Sequence, residues 1–336
     1  MNYPTAPLSV QYASGSHIQG IAVDPKREYM YFSFTTCLVK TDMAGNLIGS
    51  VTGLAGHLGC IAYNYADGKV YGSLEFKKDA IGKGILQNLG VDLTLDDGFY
   101  MTIFDVDKIT RPQMDAEKDG VMTAVYLKEV VDDYAFPGHR YGCSGIDGTT
   151  FGPAFGQKDG KQYLYVAYGI YGDTTRQDND HQVILQYDVS QWSKFAQPLQ
   201  QLSMHRSGPD KPDGKYFVYT GNTTYGVQNL EYDPATHTML MAVYRGKKPQ
   251  FPNRAMYFID CSQPPLEGNQ LTLAKIGLPH PETGIYGSEF PLGSTGIASL
   301  GDGNFYISEP FENEQGFGSR VQCFRFCPDT GNFILV

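Results

Sequence analysis

The sequence predicts an all-β fold, a β-propeller of five four-stranded blades, and three observations carry that prediction. The first is composition. With 39 Gly and 19 Pro among 336 residues, and only 18% charged side chains, the chain is built for tight turns and short strands rather than a helical bundle or a disordered tail. The second is an internal repeat: a turn, a Gly-Ile-Ala-like phrase, a short gap and a Tyr-rich apolar strand recur along the chain. The third is that each repeat is followed by further strand-like runs, which makes four short strands per unit.

The repeat reads in order. Its first strands lie at Gly20-Ile21-Ala22-Val23-Asp24, Cys60-Ile61-Ala62-Tyr63-Asn64, Gly145-Ile146-Asp147, Asn229-Leu230-Glu231-Tyr232-Asp233 and Gly296-Ile297-Ala298-Ser299. The second strands are expected at Tyr29–Thr35, Val70–Phe76, Tyr163–Gly169, Met239–Tyr244 and Phe305–Pro310. Aligned, they place Ser33, Ser73, Ala167, Ala242 and Ser308 in one column, as close packing near an axis requires, and Tyr31, Tyr71, Tyr165 and Tyr306 in another. Third strands follow at Leu38–Asp42, Tyr100–Val106, Gln182–Val189, Met256–Cys261 and Val321–Phe326. Fourth strands are expected at Leu47–Val51, Met122–Val130, Tyr216–Thr220 and Leu271–Ile276. For the last blade, the text from Gly331 to Val336 matches the start of the first blade's closing segment and Ser9–His17 its end. Strands from both termini are therefore expected to close it and remove an exposed sheet edge. The blades fall at about 17–56, 57–141, 142–225, 226–293, and 294–336 with 8–16, all in one domain.

Residues 17–54, from Gly20-Ile21-Ala22-Val23-Asp24-Pro25 through Lys40-Thr41-Asp42-Met43-Ala44-Gly45-Asn46-Leu47, resemble a repeat of the NHL or SMP-30/gluconolactonase type of propeller. That resemblance implies the fold, which hosts hydrolases, lactonases, lyases and pure binding modules alike. The SMP-30-like side of it also implies a divalent cation such as Ca²⁺ near the axis, for which Asp147, Asn229 and Glu231 are the nearest candidates.

Long loops on a rigid scaffold carry function. Against the lean first blade, most extensions fall where second and third strands join or where a first strand is approached: Lys77–Gly98, Val131–Tyr141, Tyr171–His181, Gly246–Asn253, Pro279–Gly293 and Phe311–Ser319. Thr110–Gly120 and Ser190–Lys215 fall on the opposite side. On the loop-rich face, His17 and His57 hold equivalent places in adjacent repeats, and imidazoles there can move protons or bind a metal near neutral pH. Glu75 and Glu309 end two second strands and complete the catalytic candidates, although a one-residue difference in register would aim them at opposite faces. His139, Arg140, Tyr168, Tyr171, Tyr225, Tyr244, Arg245 and Glu289 are the expected ligand-binding rim, with Tyr rings for a sugar and Arg for a carboxylate. Each has an ordinary structural explanation as well, since histidines cap loops, carboxylates form ion pairs and Tyr favours strands.

A net charge of -10 excludes a general nucleic-acid binder. No apolar run is long enough to span a bilayer. No Gly-x-Gly-x-x-Gly sits in a βαβ context and no P-loop occurs, so no nucleotide cofactor is expected. The start shows no basic segment followed by an apolar run, and the six cysteines form no CxxC pair; reduced thiols and a cytoplasmic location are the expectation. Three functional classes stay open. One is a hydrolase or lyase acting at the channel mouth on a carbohydrate-like or carboxylated small molecule. The second is a non-catalytic module that binds a glycan or a protein there. The third is a structural interaction protein whose loops form a protein interface.

Overall fold

The structure, a computed structural model, describes residues 8–11, 16–314 and 316–336. After β1 (Leu8–Gln11), blade I comprises β2 (Ile18–Val23), β3 (Tyr29–Phe34), β4 (Cys37–Asp42) and β5 (Leu47–Thr52). Blade II comprises β6 (His57–Asn64), β7 (Lys69–Phe76), β8 (Gly98–Phe104) and β10 (Met122–Tyr126), with helix α1 (Ala80–Leu89) and the short strand β9 (Met114–Asp115) inserted. Helix α2 (Lys128–Ala135) leads to blade III, formed by β11 (Cys143–Pro153), β12 (Gln162–Ile170), β13 (His181–Tyr187) and β14 (Gly214–Tyr219). Blade IV has β15 (Thr224–Asp233), β16 (Thr238–Tyr244) and β17 (Met256–Asp260). Blade V has β18 (Ile297–Ser299), β19 (Asn304–Asn313), β20 (Gly316–Cys327) and β21 (Asn332–Leu335). These are the five antiparallel blades of a propeller.

The apolar residues explain why the blades form a ring. Each of five buried clusters lies between two neighbouring blades: Tyr31 and Leu38 meet Val70 and Phe104, for example, and Leu240 and Phe258 meet Phe305 and Phe326. A blade so placed is apolar on both faces, which is why its strands read as nearly continuous hydrophobic runs. The Tyr column of the repeat fills these interfaces, with Tyr31, Tyr71, Tyr165 and Tyr306 at most 2% exposed. The serine column does more than pack. Ser33 Oγ donates to the Gly59 carbonyl at 2.6 Å and Ser73 Oγ to the Asp147 carbonyl at 2.7 Å, each tying a second strand to the innermost strand of the next blade.

Both termini close blade V. β1 pairs with the first half of β20, Leu8 facing Val321, and β21 with the second half, Phe324 facing Leu335. Residues 12–15 of the predicted closing segment lie outside the described residues.

Four local expectations are revised. The fourth strand of blade II stops at Tyr126, and Lys128–Val130 begin α2 instead. The third strand of blade III stops at Tyr187, where Val189 starts a 3-10 helix capped by Asp188. Leu271–Ile276 forms no strand: Leu273 makes an isolated bridge to Ile259, just after that of Gln270 on Phe217, and Gly277 (φ +79°) turns the chain away. The two insertions on the far side cover sheet edges. Thr110–Gly120 adds β9 parallel to β5, and Ser190–Lys215 bonds Gln197 and Ser207 to β10. Each belongs to the following blade and saturates the outer edge of the preceding one, a structural role.

Among the described residues no disulfide forms, and Cys37, Cys60, Cys143, Cys261 and Cys323 are buried. No helix among them is long and apolar enough to cross a membrane.

Candidate functional site

The site grows from irregularities in the innermost strands. β2 and β6 slip register once, between Ile18 and Gly20 and between Leu58 and Ile61, and β11 and β15 slip twice, the second slips falling between Ile146 and Thr149 and between Val227 and Asn229. A β-bulge leaves a residue without a cross-strand partner and re-aims its side chain. The residues at these slips include Gln19, Asp147 and Gln228, and all three line a cavity of about 240 Å³ at one mouth of the central channel.

The rest of the lining follows from strand geometry. His57 and Glu75 are direct cross-strand partners on β6 and β7, and Lys77 stands two residues beyond Glu75 on the same side. Lys77 Nζ lies 2.5 Å from Glu75 Oε1 and donates to the Ser144 carbonyl at 2.9 Å, while Glu75 Oε2 accepts from Ile146 N–H at 3.1 Å. Lys77 and Glu75 are 5% and 6% exposed, so this is a buried ion pair with its remaining valences satisfied. His17, Tyr171, Tyr225 and Tyr244 complete the wall. Tyr225 is held at φ +64°, an uncommon conformation for a bulky residue, and its exposed ring meets Tyr244 edge-on at 6.3 Å.

Burial, reinforced by the neighbouring Lys77 ammonium and by His17, pushes His57 down to about 3, so its imidazole is neutral near pH 7. His57 Nδ1 lies 3.8 Å from Glu75 Oε1, too far for a hydrogen bond, and has no other hydrogen-bond partner among the described residues; the facing carboxylate favours a proton on Nδ1 and so leaves Nε2 to accept. His17 reaches the same tautomer by bonding through Nδ1 to the Ile18 carbonyl at 2.8 Å. Asp147 behaves oppositely. Burial and the Glu75 charge push its carboxyl well above the usual aspartate range, against Lys77 and the Cys60 N–H. For Lys77, burial alone would lower the pKa, but the Glu75 carboxylate outweighs it and the net direction is up.

Seven predicted residues therefore converge on the mouth: His17, His57, Glu75, Asp147, Tyr171, Tyr225 and Tyr244. The others stand elsewhere. Glu309 is 46% exposed and faces Arg320 at 3.6 Å, since its register points it away from the side Glu75 occupies. Tyr168 is fully buried and donates its hydroxyl to Asp133 Oδ2, so it is core rather than rim. Arg140 pairs with Asp133 at 3.0 Å and lies over Phe136. His139 packs between Tyr134 and Tyr171, behind the wall. Arg245 pairs with Glu289 at 2.5 Å, and Arg254 pairs with the same carboxylate. Arg140 and Arg245 are each paired with a protein carboxylate, and among the described residues no arginine lines the cavity. Gln19, Lys77, Ser144 and Gln228 are lining residues that the repeat does not announce; Lys77 had a signal, as the i+2 neighbour of Glu75 at a strand end.

The implied cation does not fit its three candidates. Asp147 lines this mouth, whereas Glu231 lines a cavity of about 600 Å³ at the other end of the channel. Asn229, fully buried, donates its amide N–H groups to the Gln19 and Ser294 carbonyls at 2.8 and 3.1 Å, bracing blade IV against blades I and V, while its Oδ1 meets no hydrogen-bond donor among the described residues. Among the described residues no three His, Cys, Asp or Glu side chains are grouped to hold a metal.

At the opposite end the polar groups serve the backbone. Asp24 accepts from the N–H groups of Lys26, Glu28 and Tyr29, Arg27 donates to the Leu300 carbonyl, and Glu231 accepts from Ser299 N–H at 2.7 Å. Burial raises Glu231 from 4.5 to about 8, so the folded chain keeps a proton there that the unfolded chain releases above about pH 4.5. Stability must then fall as pH rises through that window. Glu231→Gln retains the acceptor and cannot ionise. It is expected to melt close to the native chain at pH 5 and higher than it at pH 8, by on the order of 2 °C, in parallel thermal scans. An equal difference at both pH values would contradict the burial argument.

Neither a protein-family model nor a curated protein matches the sequence. Solved structures similar to it include the Dos1 propeller (11% identity, TM-score 0.38, 90% of this chain and 55% of that one). A gluconolactonase from Xanthomonas campestris is another (10% identity, TM-score 0.39, 96% of this chain and 76% of that one). A third is the GH43 β-1,3-galactosidase BT3683 (12% identity, TM-score 0.44, 96% and 93%). The chain thus spans just over half the length of the Dos1 propeller chain.

Proposed function

We propose that the chain is a hydrolase acting on a small carbohydrate-like molecule at this mouth. The observation that supports the reading is the pairing of opposite proton states in one cavity: a neutral imidazole at His57 and a carboxyl biased to its acid form at Asp147. Hydrolysis of a glycoside or lactone needs both, a base to take a proton from water and an acid to protonate the departing oxygen. In this reading His17 Nε2, or His57 Nε2 with the weakened basicity that its burial imposes, is the base and Asp147 the acid. The Glu75–Lys77 pair orients His57 electrostatically, and Tyr171, Tyr225 and Tyr244 offer ring faces and hydroxyls to a hydroxylated ring. With Arg140 and Arg245 engaged elsewhere, a neutral substrate is favoured over a carboxylated one. A cavity of about 240 Å³ matches a ligand smaller than those that fill the ~300–1,000 Å³ of typical pockets.

The test is a panel of aldonolactones and p-nitrophenyl glycosides. Once a turned-over member is found, Asp147→Asn and His57→Ala should each lower kcat by roughly 10²–10⁴, and His17→Ala should show which imidazole is the base, with melting temperatures recorded for each variant. Saturable binding with no product from the native chain would make it a glycan-binding module. Full turnover in both Asp147→Asn and His57→Ala would defeat the assignment.

A further inference from the structure

We infer that the ligand of the channel mouth carries an apolar alkyl or aryl group, and that this group lodges in a second chamber beneath α1. The chamber has a volume of about 140 Å³ and adjoins the mouth, because His57, Glu75, Lys77 and Ile81 line both. Its remaining walls are largely apolar, with Phe76, Ile85, Leu86 and Leu93 among them. Leu86 and Leu93 also rest against the cluster that joins blades I and II, so these walls are anchored in the core.

The helix above the chamber is a placed element. Blade I joins its second and third strands through residues 35–36, whereas blade II uses 77–97 and builds α1 within them. Asp79 caps the helix by accepting from Gly82 N–H at 2.9 Å, and its other oxygen lies 3.7 Å from Lys77 Nζ. The start of the helix is thereby referenced to the same lysine that holds Glu75. Gly90, at φ +66°, closes the other end with its N–H directed at the Leu86 and Gln87 carbonyls. Gly82 allows the close approach, since a Cβ there would overlap the Lys77 carbonyl. The helix nonetheless leaves apolar surface uncovered, with Ile81 42% exposed at the boundary between the two cavities. A wholly hydroxylated ligand would leave this surface wet, while one with an apolar arm would cover it and keep its polar ring against His17, His57 and Asp147.

This inference rests on the reading of the mouth as a carbohydrate-like site, and the experiment separates the two. Methyl β-glucoside, n-octyl β-glucoside below its micelle concentration, and n-hexanol are titrated into the full chain by calorimetry. Methyl-labelled NMR reports on Ile81 and Ile85. The octyl glucoside should bind at least about tenfold more tightly than the methyl glucoside, because several buried methylenes each add several-fold, and it should shift both isoleucine methyls. Ile81→Gln, at a half-exposed position that tolerates a polar side chain, should reduce that ratio to about threefold or less. Equal affinities for the two glucosides, with no isoleucine shift from the octyl chain or hexanol, would overturn the apolar arm and leave the carbohydrate reading standing. Shifts from hexanol with no binding of either glucoside would uphold the apolar chamber and defeat the carbohydrate reading instead.

Discussion

Glu75→Ala is expected to destabilise the chain by about 3–5 kcal/mol, the cost of stranding one member of a buried ion pair. The Lys77 side chain is only 5% exposed, and its ammonium would keep the Ser144 carbonyl and the more distant Asp79 carboxylate at 3.7 Å while its close partner vanished. Ile146 N–H would lose its acceptor in the same step. Glu75→Gln combined with Lys77→Met should recover most of the loss, because the amide oxygen can still accept from Ile146 and no charge is left buried. Urea unfolding at pH 7 measures both. The native pair should also resist 1 M salt, since buried charges are weakly screened. A loss below about 1 kcal/mol for Glu75→Ala would mean that the pair behaves like an exposed one.

The second large effect falls on a glycine. Gly145 adopts φ +132°, a region L-residues rarely enter, and a Cβ there would overlap Glu75 Oε2 and press on Phe99 at 3.0 Å. Gly145→Ala should therefore cost about 3 kcal/mol, from backbone strain and from pushing the carboxylate off Ile146 and Lys77. On the proposed reading of the mouth it should also weaken ligand binding there, because Glu75 is the cross-strand neighbour of His57. Gly84→Ala is the control. Nothing lies within 4 Å of its Cβ position and it sits inside α1, so the change should stabilise by about 0.5–1 kcal/mol. Urea midpoints moving in the same direction for both glycines would refute the steric argument for Gly145.

The serine and tyrosine columns were readable because every blade solves the same packing problem with the same backbone. Ser33 and Ser73 bond to the next inner strand, and the tyrosines fill the interfaces between blades. Glu75 and Glu309 show where such reading stops. They lie on equivalent second strands, of which β19 runs on past Glu309 to Asn313, yet one is buried against Lys77 and the other is exposed beside Arg320. A one-residue difference in register reverses the side a strand residue faces, and register is fixed by hydrogen bonding to a partner strand distant in the chain. Gln19 and Gln228 were missed for the same reason: a bulge changes the bonding pattern and leaves the apolar text unaltered.

Repetition in the amino-acid text is thus enough for the all-β class, the five blades, the closure by both termini and the face that carries most of the loop extensions, because those depend on local propensity and recurring contacts. Which polar residues meet at the mouth depended on the folded ring. It alone placed Asp147 with His57, separated Glu231 from both by the length of the channel, and consumed Arg140 and Arg245 in outer ion pairs. The physical reason is range. Strand formation and blade packing are written in neighbouring residues, whereas burial and the partners of a charge are set by groups up to hundreds of residues away.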